Sequence, residues 1–254
     1  MDRNIKSLTG YSLKAADGEI GEVKEFYFDD ETWKIRYLVT KTGGWLSEKE
    51  VLIAPTAIEN TDWLNRVFQV NLTKAQISSS PDIDTDKPVY RQQEIGLYDH
   101  YAWEAYWLSG FYPGGYLGVA VPFPSIDTRE LVPPVIEEKT STDDVHLRST
   151  EKVTGYHVHA TDGEIGHVYD FIVDDQTWQV LSLVIDTNNW LGGKKAIIPI
   201  SHIVKVEWDN SKVYVDLTIS AVKDSPLFEE AAFNPAEADR DVTVMLPVIP
   251  LEIH

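Results

Sequence analysis

The sequence predicts a mostly β protein with two small β-barrel domains, joined by an aromatic, partly helical insert. The first observation is an internal repeat: DGEIGEVKEFYFDDETW begins at Asp17, and DGEIGHVYDFIVDDQTW begins at Asp162. The copies keep an offset of 145 residues over most of their length, so Gly10 corresponds to Gly155. Two copies are too few for a solenoid, which needs several stacked units to bury a core. Two similar domains are therefore expected.

The second observation is that each copy has the pattern of short strands separated by tight turns. Side chains alternate along the segment after the second turn, with one set on one face of a strand: Trp33, Ile35, Tyr37 and Val39. Gly18 and Gly163 each follow an aspartate, as tight hairpin turns with a positive φ require. Gly21 and Gly166 predict a bulge or a sharp bend. Such strands close readily into a small barrel, which removes exposed sheet edges.

The third observation is a pair of adjacent aspartates in each copy, Asp29-Asp30 and Asp174-Asp175. Adjacent residues on a strand point to opposite faces, so neither pair is suited to act on one substrate. A hard-cation site also needs more oxygen ligands than one pair supplies. We therefore predict that the aspartates shape the second turn.

These residues carry a resemblance to a known family. Each copy resembles the PRC-barrel family, which is named for the cytoplasmic domain of the photosynthetic reaction-centre H subunit. The motifs that carry the resemblance are DGE-IG-V, F-DD-TW, WL and a closing I-P. The second copy is closer to the pattern around Trp190, whereas the first has Ser47 and Glu48 after Trp45-Leu46. The resemblance implies two PRC-type barrels in tandem. It brings no shared catalytic signature, so we predict no enzyme activity, no catalytic residues and no cofactor.

The repeat sets the predicted domain boundaries. Residues 1–80 form the first barrel domain, residues 81–148 the aromatic insert and linker, residues 149–226 the second barrel domain, and residues 227–254 a C-terminal tail.

The insert contains a predicted amphipathic helix followed by an aromatic, glycine-rich segment. Ile95, Tyr98, Tyr101 and Ala105 recur at a 3–4 spacing, which places them on one helix face. Three interpretations of the aromatic residues stay open: a linker packed onto the barrels, a docking surface for another protein, or contact with a membrane interface. The candidate interaction residues here are Trp103, Trp107 and Tyr112.

The insert is not predicted to cross a membrane. Between Ala102 and Phe123 the one charged residue is Glu104, and this length could span a bilayer. However, Pro113 and Pro122 would break a spanning helix, and nothing nearby would satisfy the freed backbone groups in lipid. We therefore predict no transmembrane segment, and at most peripheral membrane contact.

Two further pairs of residues are candidate sites. Trp45 and Trp190 lie in equivalent loops and either cap the barrel ends or present an aromatic anchor to a partner. His157 and His159 share a strand face and suit zinc or nickel, but the first copy has Ser12 and Lys14 instead. We expect these histidines to face solvent without a metal.

Composition narrows the function further. The chain has 22 basic and 41 acidic residues, a net charge of −19, which repels phosphate backbones and anionic membranes. The absence of cysteine excludes disulfides, thiolate nucleophiles and cysteine-bound metals. The first six residues have no apolar run typical of a secretory signal, so a cytoplasmic location is expected.

The sequence favours a non-catalytic protein–protein interaction or assembly module that forms a homo-oligomer, with an unknown partner and no nucleic acid. The alternative is a peripheral subunit of a photosynthetic reaction-centre-type or electron-transfer membrane complex. An enzyme or a metal-dependent protein would instead need a cleft between the barrels lined by His157 and His159.

Overall fold

The fold consists of two seven-stranded sheets with short helices at their ends. The computed structural model describes residues 1–46, 49–81, 89, 91–106, 146–187, 193 and 195–234. The prediction of a mostly β fold with two similar barrel-like units is confirmed.

The elements of the first unit and of the insert follow in chain order. They are β1 (Asp2–Asn4), α1 (Ile5–Leu8), β2 (Ser12–Ala15), β3 (Gly18–Asp29), β4 (Lys34–Thr42), β5 (Glu50–Ile53), β6 (Ile58–Asp62), β7 (Val67–Val70), α2 (Lys74–Ser78) and α3 (Arg91–Tyr101).

The second unit repeats this order. Its elements are β8 (Leu147–Ser149), α4 (Thr150–Val153), β9 (His157–Ala160), β10 (Gly163–Asp174), β11 (Val180–Asp186), β12 (Lys195–Pro199), β13 (Ile203–Glu207), β14 (Lys212–Val215), α5 (Ile219–Lys223) and α6 (Glu230–Phe233).

The two sheets have the same strand order, β5-β4-β3-β2-β7-β6 and β12-β11-β10-β9-β14-β13. One pair in each sheet is parallel, β2 with β7 and β9 with β14. The long strands β3 and β10 form the centre of each unit, because each pairs on both sides and bends at a bulge.

The predicted bulges occur at the two glycines that are equivalent in the repeat. The register shifts beside Gly21 in β3 and beside Gly166 in β10. A Cβ at Gly21 would overlap the carbonyl oxygen of Lys41, and one at Gly166 would overlap that of Asp186. The missing side chain therefore lets neighbouring backbones approach closely, as expected for glycine at a barrel bend.

The first aspartate of each pair shapes a turn, as predicted. Asp29 Oδ1 accepts hydrogen bonds from the backbone nitrogens of Glu31 (3.1 Å) and Thr32 (2.9 Å). Asp174 Oδ1 accepts the equivalent bond from Thr177 at 2.7 Å. These backbone hydrogen bonds are the main reason that the pKa of Asp174 lies below its ordinary value.

The N-terminal strand of each unit belongs to the sheet of the other unit. β1 pairs with β10, with Arg3 opposite Val173. β8 pairs with β3, with Arg148 opposite Phe28. The sequence did not indicate this reciprocal exchange, because a strand of three residues carries no signal that specifies its partner.

The exchange follows a pseudo-twofold axis between the units. Lys34 and its repeat equivalent Gln179 form an isolated antiparallel bridge, so they lie on the axis. The Val180 nitrogen donates to the Trp33 carbonyl at 2.8 Å, and the symmetric bond from Ile35 to Trp178 has the same length. The two units are thus joined by backbone pairing as well as by side chains.

One hydrophobic core runs through both units. The ring of Phe28 lies 5.5 Å from that of Phe171 on the other central strand, and Phe171 is the repeat equivalent of Phe26. Trp178 is 8% exposed and stacks on Phe26 at 6.0 Å, across the boundary between the units. Burial of this shared aromatic surface is a large favourable contribution that neither unit has alone.

Candidate interaction groove

The structure describes only some of the predicted interaction residues. Trp103 is half-buried and stacks on Tyr101 with ring centroids 4.4 Å apart. Trp45 lies in a short helical turn, Gly44–Leu46, and its side chain is outside the described residues. Trp107, Tyr112 and Trp190 also lie outside the described residues.

Helix α3 packs on the first barrel through a face different from the one expected. Leu97, Tyr98 and Tyr101 are buried, but Ile95 is 39% exposed. The buried face begins instead with Glu94, which has no exposed surface. The expectation that Ile95 belongs to this face was wrong, because an apolar 3–4 spacing does not indicate a carboxylate that is buried among hydrogen-bond partners.

Glu94 is buried at the centre of a polar cluster. Its Oε1 accepts hydrogen bonds from the hydroxyls of Tyr37 (2.7 Å) and Tyr106 (2.9 Å), and its Oε2 lies 2.8 Å from His146 Nε2. A buried carboxylate is costly unless such partners surround it. The cluster therefore fixes the insert to the barrel and to the segment that leads into β8.

The Glu94 cluster also perturbs the tyrosine beside it. Burial and the negative charge of Glu94 raise the pKa of Tyr37 far above its ordinary value. Tyr37 therefore acts as a hydrogen-bond donor at every accessible pH.

A groove of about 980 Å³ lies beside this cluster. The lining comes from Met1 and from three parts of the chain: residues 34–36, 54–56, 58–61 and 63 of the first barrel, residues 175–178 in the second turn of the second barrel, and the insert through Tyr98, Glu104 and Tyr106. We call this the composite groove. It forms where the strand exchange brings the second barrel's turn next to the first barrel, and the insert contributes Tyr98, Glu104 and Tyr106 to its wall.

A model of the PRC-barrel domain matches residues 4–77 and 150–221, which together make up more than half of the chain. The chain belongs to the PRC-barrel family. The matched regions start at the end of β1 and just after β8, so the exchanged strands lie almost wholly outside them. PRC-barrel domains are non-catalytic modules at the level of the family.

A relative with detectable similarity is an uncharacterised protein of Deinococcus radiodurans. It is 32% identical over 102 residues, which cover 35% of this chain and 36% of the relative. The match thus spans about a third of the relative's length.

The charged side chains in the composite groove divide into two groups. Arg36 is held by Asp29, with Nη2 3.1 Å from Oδ2, and its guanidinium lies 3.6 Å from the centre of the Tyr106 ring. Glu59 and Glu104 are exposed at the rim. Lys34 also lines the groove and is partly exposed, and the Met1 ammonium pairs with Asp175, so the two glutamates leave this PRC-barrel groove with a modest acidic excess.

The second aspartate of each turn pair has a role that the sequence analysis missed. Asp175 Oδ2 accepts from Arg3 Nε at 2.9 Å, and Asp30 Oδ2 accepts from Arg148 Nε at 2.7 Å. Each arginine comes from an exchanged strand. The available clue was that both copies have an arginine at the same repeat position, since Arg3 and Arg148 are 145 residues apart.

The histidines of the second PRC barrel lie away from the composite groove. His157 Nδ1 is 3.0 Å from Glu164 on the neighbouring strand, and His159 stacks on Tyr214 at 5.3 Å. Neither histidine lines the groove. Within the described part of the chain, no cluster of three or more potential metal-ligating residues is found.

The described residues also include no helix that is both long and apolar enough to span a bilayer.

Proposed function

We propose that this protein is a non-catalytic interaction module that holds a partner protein in its composite groove. The observation that carries the proposal is the origin of the groove walls in both barrels and the insert. A single PRC barrel could not provide all of these walls, so the site requires the tandem arrangement.

The composition of the groove supports binding rather than chemistry. Its partly exposed aromatic residues are Trp63 and Tyr106, and such residues are enriched where interfaces gain most of their binding energy. The charged residues Arg36 and Asp175 already form structural ion pairs. Both charges therefore stabilise the fold rather than act on a substrate.

Site-specific photocrosslinking in the native cells tests the proposal. A benzophenone side chain replaces Glu59 at the groove, and as the matched control it replaces Val204, the repeat equivalent on β13, which is 65% exposed. We expect adducts with a defined second protein from position 59 and few from position 204. Equal adduct patterns from both positions, or none from position 59, would contradict the proposal.

Self-association and location stay predictions. Light scattering of the full chain measures whether it forms the expected homo-oligomer, and replacing Trp103 by serine shows whether the insert contributes. Cell fractionation checks the expected cytoplasmic location and any peripheral membrane contact.

A further inference from the structure

The composite groove runs along the open edge of a β-strand. β6 is the last strand of the first sheet, and among the described residues it pairs only with β7. Four successive residues of β6, 58–61, line the groove. Because the bulge at Glu59 interrupts the alternation of side chains, contact with four residues in a row places the groove against the strand's edge as well as its face.

An open edge presents unpaired backbone donors and acceptors, and an extended peptide can add to it as a further strand. Two features of β6 restrict which peptides can do so. The strand has a bulge at Glu59, where the register shifts between Ile58 and Asn60, and the Glu59 side chain is exposed. Bulges and edge charges discourage unspecific pairing, so the edge favours a partner whose charge is complementary.

Charge and aromatic geometry both favour a cationic partner. Glu59 and Glu104 outweigh the partly exposed Lys34 in the same lining, and the chain as a whole carries −19, which attracts basic segments and speeds their association. The groove already accommodates one cation, because the Arg36 guanidinium stacks over the Tyr106 ring at 3.6 Å. Aromatic rings of this kind also bind lysine or arginine side chains of a ligand.

We propose that an extended segment of a partner protein, with lysine or arginine at alternate positions, adds as a strand to the outer edge of β6. This inference rests on the proposed function, because it assigns the mode of binding and the partner chemistry to the same groove. The added strand gains affinity from backbone pairing and selectivity from the acidic rim.

A synthetic peptide that alternates lysine and valine over about eight residues is a suitable probe, since strands of this length are common. Amide hydrogen exchange of the full chain is measured with and without the peptide. We expect exchange at residues 58–62 to slow by about tenfold or more at saturation. Exchange at the equivalent strand β13, residues 203–207, should be unchanged. A peptide that alternates glutamate and valine should give no protection.

Charge-reversal variants distinguish binding of the peptide in the groove from a general attraction to the acidic protein. Glu59→Lys with Glu104→Lys should weaken binding of the lysine–valine peptide by about tenfold or more, as expected for direct charge pairs. The control is Glu19→Lys with Asp209→Lys, two exposed sites outside the groove that change net charge equally. The control should weaken binding by about twofold or less at physiological salt.

Three results would overturn the inference. They are equal losses in both double variants, binding without added protection of residues 58–62, and protection, before any peptide is added, of the amides in this range that do not pair with β7. If position 59 crosslinks a protein in cells while the peptide leaves β6 unprotected, the groove function stands and strand addition fails. If neither occurs, both fail.

Discussion

Asp170 is a buried carboxylate next to the exchanged strand β1. Its side chain accepts hydrogen bonds from Asn4 Nδ2 at 2.9 Å and from the Lys6 nitrogen at 3.1 Å. Its repeat equivalent Glu25 accepts from Ser149 Oγ on β8. Burial raises the pKa of Asp170 to about 6 and also raises the pKa of Glu25. The interface between the units thus contains two acids that favour protonation.

The raised pKa of Asp170 predicts an unusual pH dependence. The folded state binds the Asp170 proton more tightly than the unfolded state, so this residue's contribution to stability rises as pH falls from about 7 to about 4. The change corresponds to about 3 kcal/mol. The stability of wild type relative to Asp170→Asn should therefore increase over this range, as measured by urea unfolding. A difference that is constant with pH would contradict the assignment.

Glu94 should be the most sensitive position of the insert. Glu94→Ala leaves the Tyr37 hydroxyl and the His146 ring without their shared acceptor in a buried site. We expect a loss of about 2–4 kcal/mol in unfolding free energy. Asp99→Ala, an exposed acid on the same helix, is the matched control and should change stability by less than about 0.5 kcal/mol. Similar small effects of both changes in urea titrations would argue against the cluster.

Among the secondary-structure elements, the exchanged strands β1 and β8 join the two units. Each is held by an arginine that pairs with the second aspartate of the opposite turn and covers a tryptophan, Arg3 over Trp63 and Arg148 over Trp208, both at 4.3 Å. The two ion pairs differ in burial, with side-chain exposures of 5% and 8% for Arg3 and Asp175 against 23% and 12% for Arg148 and Asp30.

This difference predicts unequal effects of equivalent mutations. Arg3→Ala should destabilise the protein by about 2–3 kcal/mol, because the buried Asp175 carboxylate then keeps only its ion pair with the Met1 ammonium at 2.6 Å. Arg148→Ala should cost less, because water screens the more exposed pair. Lys24→Ala, which removes an exposed pair with Glu50, should cost under about 1 kcal/mol. Thermal and urea unfolding of the three variants give the order, and a reversed order for the two arginines would contradict the structure.

The elements also show what could be predicted from the sequence. The turn at Asp29 and the bulge at Gly21 depend on local backbone geometry, so their residue types reveal them. The destination of β1 could not be predicted, because its pairing is decided by packing against residues about 170 positions away. Glu94 was missed for a related reason: its burial becomes favourable only when Tyr37 and His146 arrive from distant segments. The composite groove, built from three such segments, was likewise not predictable.

At the scale of the whole molecule, the shared core predicts that the two barrels unfold together. Trp178 packs on Phe26 and Phe68 of the first barrel, so loosening one unit removes contacts from the other. Tryptophan fluorescence and far-ultraviolet circular dichroism should report one coincident urea transition. Phe68→Leu should shift that single transition as a whole. Two transitions, or a shift in only one of them, would mean that the barrels are independent.

The two barrels exchange strands within one chain, and this exchange builds the composite groove. Nuclear Overhauser effects in a uniformly labelled sample of the full chain test it most directly. Cross-strand contacts are predicted between Arg3 and Val173 and between Arg148 and Phe28, and they should be absent from the intermolecular spectrum of a mixed-label sample. Contacts of β1 with β3, or contacts seen only between different chains, would contradict the account.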